Sequence, residues 1–179
     1  MDFATSRFAE NGYHPTSVAE IVQGIGVGKG VFYWYFSTKE ELFLEIMRDA
    51  QHDLRKTQQQ AIDGLDDSVT MIEQGIRASM KWSAEHRDLL NLFQFAATEE
   101  RFAPAMRKGA AVAAGDVIRI VKEGIAAGEL RDGDPVMIAN AVLGVTSHMA
   151  RVFIHEHKED PEHVADETVA FCLEGLLTK

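Results

Sequence analysis

Thr16-Ser-Val-Ala-Glu-Ile-Val-Gln-Gly-Ile-Gly-Val-Gly-Lys-Gly-Val-Phe-Tyr-Trp-Tyr-Phe-Ser-Thr-Lys-Glu-Glu-Leu42 is the stretch on which the reading of this chain turns. Val18, Ile21, Val22 and Ile25 fall at i, i+3, i+4 and i+7, the stripe by which an amphipathic helix faces a core. Gly24 and Gly26 stop that helix. In the second half Phe32 and Phe36 are one turn apart and share a face, while Gly30 and Trp34 point the opposite way. Tyr33, Trp34 and Tyr35 stand in a row, and one helix face cannot bury three consecutive large rings, so at least one is expected at the surface. Two readings follow. The rings pack against a later helix, or the pair of helices is a helix-turn-helix whose second helix meets a DNA major groove, with hydroxyl-bearing rings at the phosphates.

Charge bears on the choice. The chain carries 28 Asp and Glu and a formal net charge of -10, which argues against nucleic-acid binding through the whole surface but leaves a local site open. No acidic residue lies between Ile21 and Lys39, and the charges there are Lys29 and Lys39. Residues 1 to 50 as a whole are mildly acidic. Arg7, Lys29, Lys39 and Arg48 stand against Asp2, Glu10, Glu20, Glu40, Glu41, Glu45 and Asp49, so Glu40, Glu41, Glu45 and Asp49 are expected on a following helix that leads away from the DNA.

Thr16, Gly26, Val27, Lys29, Gly30, Tyr33, Phe36, Lys39 and Leu42, with Phe8, Gly12 and Tyr13 upstream, resemble the DNA-binding signature of the tetracycline-repressor (TetR) family of bacterial transcriptional regulators. The chain departs from that pattern at Gly28 and Val31, where the family often carries hydroxyl residues. The resemblance implies DNA contacts from Thr16, Ser17, Gly28, Lys29, Gly30, Tyr33, Trp34, Tyr35 and Lys39. In that assignment Thr16 and Ser17 give hydroxyl and backbone N–H contacts to phosphate, Lys29 and Gly30 open the recognition helix, and Tyr33 and Lys39 bind phosphate. Members of that family usually carry a further turn or more upstream, often with basic residues, whereas this sequence begins inside what reads as its first helix.

The rest of the chain reads as helices alone. Residues 2 to 11 form a helix with Gly12 as its stop. Ser37 with Glu40, or Thr38 with Glu41, fits a capping box opening a long helix that carries Leu42, Phe43, Ile46, Met47, Ala50 and Leu54 to about Gln60. Asp66 or Asp67 caps a helix with Val69, Ile72, Ile76 and Met80, and a break at Glu85 to Asp88 precedes the apolar segment Leu89 to Ala97. Pro104 suits the first turn of a helix with Val117, Ile118, Val121 and Ile125, ending near Gly128. Asp134-Pro135 opens a helix with Ile138, Val142, Val145, Met149 and Val152, and Asp160-Pro161 opens one with Val164, Thr168, Phe171 and Gly175. No segment alternates with a two-residue period. The expectation is an all-α fold of about nine helices, with a helix-turn-helix domain over 1–45 and a larger helical domain for effector binding and dimerisation over 46–179.

The resemblance implies a homodimer through the last two helices, and the small residues Ala139, Ala141, Gly144 and Ala150 would let helices approach closely, although ordinary packing within the chain reads the same way. Trp82, His86, Phe93, Phe95, Phe102, His148, Met149 and Phe153 supply aromatic, sulfur and imidazole groups of the kind that line a pocket for an apolar or aromatic effector; for any single one of them, plain core packing is the weightier reading. His155, His157, Glu159 and His163 fall in a charged turn, and His-x-His on a helix points its rings apart, so no metal is expected. There is no nucleophile elbow or phosphate loop, and no cofactor or enzymatic activity is expected. The single cysteine, Cys172, excludes an intramolecular disulfide and reads as a small buried hydrophobe. With no uninterrupted apolar run of about 18 residues and no signal-peptide pattern, the expectation is a cytoplasmic chain. The functional expectation is a ligand-responsive regulator, most simply a repressor, on a palindromic duplex operator. The alternative is a helical small-molecule or partner-binding protein of the same fold that has lost its DNA affinity.

Overall fold

The computed structural model describes residues 1–177. Among them are nine α-helices and no strand: α1 Asp2–Asn11, α2 Val18–Gly24, α3 Lys29–Tyr35, α4 Lys39–Ile62, α5 Ser68–Glu85, α6 Arg87–Thr98, α7 Ala103–Ala127, α8 Pro135–Met149 and α9 Pro161–Leu176. Their starts follow the caps written in the sequence. The Glu41 N–H donates to Thr38 Oγ1 while Glu41 Oε2 accepts from the Ser37 N–H. Asp67, rather than Asp66, accepts from the Thr70 N–H at 2.7 Å. Asp134 and Asp160 do the same ahead of Pro135 and Pro161, so each of these helices opens with an orphan donor satisfied.

The chain forms two compact units. The first comprises Met1–His52 and Asp88–Arg107, so α6 and the first turn of α7 join α1, α2, α3 and the opening half of α4. Its core centres on Tyr13, whose ring lies 5.0 Å from Phe43, 5.3 Å from Phe102 and 5.5 Å from both Phe8 and Phe95. Ile21, Val22 and Phe32 close it from the helix-turn-helix side. Ile25 departs from its expected place: α2 stops at Gly24, Gly26 turns the chain with φ 71, and Ile25 is left 52% exposed.

The second unit comprises Asp53–Arg87 and Lys108 onward. Ile72, Ile76, Met80, Ile120, Val121, Ile138, Ile154, Val164 and Val169 form its core. Arg77 ties α5 to α9, pairing with Glu73 at 2.9 Å and Asp166 at 2.6 Å. In α7 a Cβ on Gly124 would lie 2.7 Å from both Leu130 Cδ1 and Ser68 Cβ, so only glycine permits that approach.

After Met149 the helical path widens. Ala150–Glu156 is a π-helical segment, closed by the His157 N–H donating to Val152 O at 3.0 Å; the expectation of an unbroken α-helix through Val152 missed this. Taken together, Pro135–Glu156 reaches a mean hydropathy of 1.4 over an 18-residue window. By length and composition alone it could cross a membrane, although Asn140, Ser147, His148 and Arg151 punctuate it. Ile138, Ala139, Val142, Ala150 and Ile154 on this segment are core residues of the second unit, while only 33% of the window is buried.

Candidate nucleic-acid interface and ligand cleft

α3 is held from one side only. Phe32 is buried and packs on Phe36 at 5.7 Å. Tyr33, Trp34 and Tyr35 are 56%, 86% and 71% exposed, and Val31 is 47% exposed. All three consecutive rings therefore face solvent, with Lys29 and Gly30 exposed at the head of the helix. A contiguous exposed aromatic surface on a short helix marks an interaction surface, and Lys29 places a cation at the head of that helix. Gly28 precedes α3 in extended conformation and supplies no side-chain cap, and a Cβ added there would meet nothing within 4 Å. Its significance is thus the open space beside the helix.

Two of the residues assigned to phosphate contact are used inside the unit instead. Thr16 is fully buried, and its hydroxyl faces Gly12 O at 2.8 Å and Arg7 O at 3.2 Å. The Lys39 ammonium donates to three carbonyls, Tyr13 at 2.7 Å, Thr16 at 2.8 Å and His14 at 3.2 Å, and sits 4.4 Å above the Tyr13 ring. Both residues fix the loop from Gly12 to Ser17 that carries the chain from α1 into α2. Ser17 is exposed and its hydroxyl oxygen caps α2 by accepting from the Glu20 N–H, leaving the hydroxyl proton free to donate. Arg7 pairs with Glu20 across α1 and α2, which raises the guanidinium pKa and lowers that of Glu20.

The residues named for a ligand pocket do not come together. Phe93, Phe95 and Phe102 belong to the aromatic core of the first unit, because α6 and the start of α7 pack there. Trp82 is buried in the second unit, its Nε1–H donating to Asp53 Oδ2 at 2.7 Å and its ring stacked on His86 at 4.3 Å. His148 is exposed beside Arg151, and Met149 and Phe153 pack on the second core.

A small cleft in the second unit lies elsewhere. It holds about 60 Å³ and is walled by α4, α5, α7 and α8. α4 contributes Arg55, Gln58 and Ile62, one face at helical spacing, and α7 contributes Asp116, Val117 and Ile120. Arg55 and Asp116 form a two-point ion pair, Nε to Oδ2 at 2.5 Å and Nη2 to Oδ1 at 3.1 Å, which raises the Arg55 pKa. The Gln58 amide donates to Ser79 Oγ at 2.8 Å, and that hydroxyl donates to Gly75 O at 2.7 Å. Sequence reasoning passed over these residues because it searched for aromatics. The usable signal was the polar pair Arg55 and Gln58 on the inward stripe of α4.

Residues 1–46 match the model of the bacterial regulatory proteins of the tetR family, and residues 65–176 match the tetracyclin repressor-like C-terminal domain. YdgC of Bacillus subtilis strain 168, described as an uncharacterized HTH-type transcriptional regulator, is 27% identical over 186 residues, spanning 98% of this chain and 90% of its own length. QacR of Staphylococcus aureus, an HTH-type transcriptional regulator, is 48% identical over 47 residues, 26% of this chain and 25% of that protein. The crystal structure of the transcriptional regulator FadR from Bacillus subtilis in complex with stearoyl-CoA superposes with a TM-score of 0.88 at 20% identity, covering 97% of this chain and 96% of FadR. That of the ketosteroid regulator KstR2 from Mycobacterium tuberculosis gives 0.77 at 21%, covering 99% and 93%. At these identities the two structures speak for the fold, while the matched models cover the helix-turn-helix end and most of the remaining chain. The chain belongs to the tetR family of bacterial regulatory proteins and is a helix-turn-helix transcriptional regulator.

Proposed function

We propose that the chain is a homodimeric repressor that binds a palindromic operator through α3 and leaves it when a small molecule enters the cleft of the second unit. The observation that carries this reading is the exposure of Tyr33, Trp34 and Tyr35 beside Lys29 in a stretch of sequence without an acidic residue. Ser17, Lys29 and Tyr33 contact phosphates, and Gly28 and Gly30 allow close backbone approach. Trp34 and Val31 offer apolar contact to thymine methyl groups. In this reading residues 1–45 are the DNA-binding domain and 46–179 the effector and dimerisation domain, and the protein works in the cytoplasm beside its operator.

Dimerisation is supported by the outer face of α8, where Met137, Ala141, Gly144 and His148 recur at helical spacing and are exposed, and by Phe171 on α9, which is 67% exposed. A two-fold dimer predicts half-sites about 34 to 36 Å apart or a multiple of that. Release is supported by α4, which runs unbroken from Lys39 to Ile62 and supplies Arg55, Gln58 and Ile62 to the cleft. A ligand that binds one α4 position better than another shifts the DNA-competent population. KstR2 of Rhodococcus jostii, 35% identical over 72 residues, is named a repressor, and FadR holds stearoyl-CoA; both are consistent with repression relieved by a largely apolar effector.

The test is a mobility-shift titration on DNA upstream of the chain's own gene, repeated over a salt series. Lys29→Ala is expected to weaken binding and reduce the log–log salt slope by about one. Absence of any shifted complex across the upstream region would favour the helical binding protein that has lost its DNA affinity.

A further inference from the structure

The exposed side of α3 has a crest and two flanks, and their chemistry differs. Successive residues turn about 100° around a helix, so Trp34 lies about 160° from the buried Phe32 and stands on the crest. At 86% it is the most exposed large hydrophobic side chain among the described residues. Gly30 precedes it by one turn and Val31 by three residues, so both neighbour it on the helix surface. The crest therefore carries an indole, an isopropyl group and bare backbone. Tyr33 and Tyr35 fall to either side of Trp34. Each leans back on a ring of the unit's inner side, Tyr33 edge-on to Phe32 at 5.2 Å and Tyr35 beside Phe36 at 6.5 Å.

Hydrogen-bonded readout in the major groove uses Arg or Lys on guanine, Asn or Gln on adenine, and Asp or Glu on cytosine. α3 is Lys-Gly-Val-Phe-Tyr-Trp-Tyr, with no Arg, Asn, Gln, Asp or Glu. Its one cation, Lys29, sits at the head of the helix and about 140° round from Trp34, which places it at the rim of a groove whose floor Trp34 meets. The two phenols, on opposite flanks, face the two phosphate walls. The one polar side-chain atom left on the crest is the indole N–H, which only donates. Both A·T and G·C pairs offer acceptors to it, so it does not tell them apart. The apolar group that a base pair does present in the major groove is the thymine 5-methyl.

We infer that the chain selects its operator by thymine methyl groups, with Trp34 and Val31 as the specificity-determining residues and Lys29, Tyr33 and Tyr35 holding the register on phosphate. The inference rests on the placement of α3 in the groove proposed above and adds what α3 reads there. Discrimination then depends on the C5 substituent of a pyrimidine rather than on the hydrogen-bonding edge of its pair. A 5-methylcytosine carries the same methyl on a different base pair, and it should be accepted in place of thymine.

The experiment begins with selection of bound duplexes from random-sequence DNA by the full chain. Mobility-shift titrations on synthetic versions of the selected duplex follow. Replacing each thymine in turn by deoxyuridine removes the methyl and keeps the base pair. At one or two positions in each half-site affinity is expected to fall about fourfold per methyl lost. Replacing the same thymine pair by cytosine and guanine should weaken binding, and 5-methylcytosine in place of that cytosine should recover most of the loss. Trp34→Ala should bind the thymine and deoxyuridine duplexes alike, and circular dichroism should show an unchanged helical content because the side chain packs on nothing in the core. Lys29→Ala should weaken both duplexes and leave their ratio as it was. Equal binding of thymine and deoxyuridine at every position overturns the inference and leaves the operator reading intact. A thymine preference that persists in both Trp34→Ala and Val31→Ala belongs to DNA shape and also overturns it. If the selection retains no duplex, the operator reading fails and the inference falls with it.

Discussion

Replacing Lys39 by methionine separates two roles that the same residue can have beside DNA. If Lys39 binds phosphate, its loss removes about one counterion from the salt slope and leaves the fold intact. The geometry indicates otherwise: one ammonium donates to the carbonyls of Tyr13, Thr16 and His14 between 2.7 and 3.2 Å and lies over the Tyr13 ring. Hydrogen bonds to a charged group contribute roughly 1.5–3 kcal/mol each, and a shared donor makes them far from additive, so about 3 kcal/mol for the whole clamp is a reasonable figure. Methionine keeps the length of the stem and leaves three carbonyls without their donor. With a urea m-value of about 2 kcal/mol/M, the transition of the first unit should move down by roughly 1.5 M. Urea unfolding followed by circular dichroism measures that shift, and a mobility-shift salt series at low temperature measures the slope of what still binds. The expected result is a large loss of stability with an unchanged slope. A stable protein whose slope falls by about one would refute the clamp and restore the phosphate contact.

Glycine positions give predictions of opposite sign. Gly75→Ala should stabilise the second unit by about 0.5–1 kcal/mol through helix propensity, whereas Gly124→Ala should cost about 1–3 kcal/mol through overpacking against Leu130 and Ser68; thermal melts decide both. In the first unit a Cβ on Gly24 would lie 1.9 Å from the Phe3 ring, so Gly24→Ala should destabilise α1 against α2, and Phe3→Ala in the same chain should recover most of the loss, as a double-mutant cycle would show. Glu20 has its pKa lowered, first by the Arg7 hydrogen bond. Its contribution is therefore present above the ordinary glutamate range and is lost as pH falls through the lowered folded value. Glu20→Gln should flatten the acid side of the stability profile, which denaturation across a pH series tests. Under the proposed dimer, sedimentation velocity should show the unaltered chain at twice the monomer mass, and Met137→Glu on the outer face of α8 should leave it monomeric and weaken operator binding without lowering the helical content.

The helix-turn-helix was legible because its residues obey local rules. Phe32 inward and at least one of Tyr33, Trp34 and Tyr35 outward follows from helical geometry, though the exposure of all three does not, and the caps at Thr38, Asp67, Asp134 and Asp160 announce helix starts within a few residues of themselves. The roles of Thr16 and Lys39 were not legible from the same motif. A threonine ahead of a helix and a lysine at the head of the next are equally good phosphate ligands and loop fasteners, and only the path of Gly12 to Ser17 in space decides between them. Thr16 reaches back to Arg7 O and Gly12 O, and Lys39 reaches across more than twenty positions of sequence to the Tyr13 carbonyl.

The cleft was hidden for a different reason. Aromatic residues are the usual signature of a pocket, yet here the rings of Phe93, Phe95 and Phe102 fill the core around Tyr13 in the first unit, and Trp82 is pinned by Asp53 and His86. A wall made of one stripe from each of four helices leaves no contiguous motif; Ile72, Ile76, Ile120 and Val142 on those stripes look like ordinary core positions, and that is what they are along most of their surface. What distinguishes a cleft from a core is missing volume, and missing volume has a sequence signature only where a residue is smaller than its helix warrants. Gly75 lines the cleft, but Gly115, Gly144 and Gly175 have equally open surroundings and lie outside its lining, so an unforced helix glycine does not by itself mark the cleft. Arg55 is its polar counterpart: a charge on the inward face of α4 whose partner, Asp116, lies 61 positions away. Arg55, Asp116 and Gly75 come to one place only through the fold, so no single position announces the cleft in the sequence, and the rings fail as a signal because packing alone accounts for them.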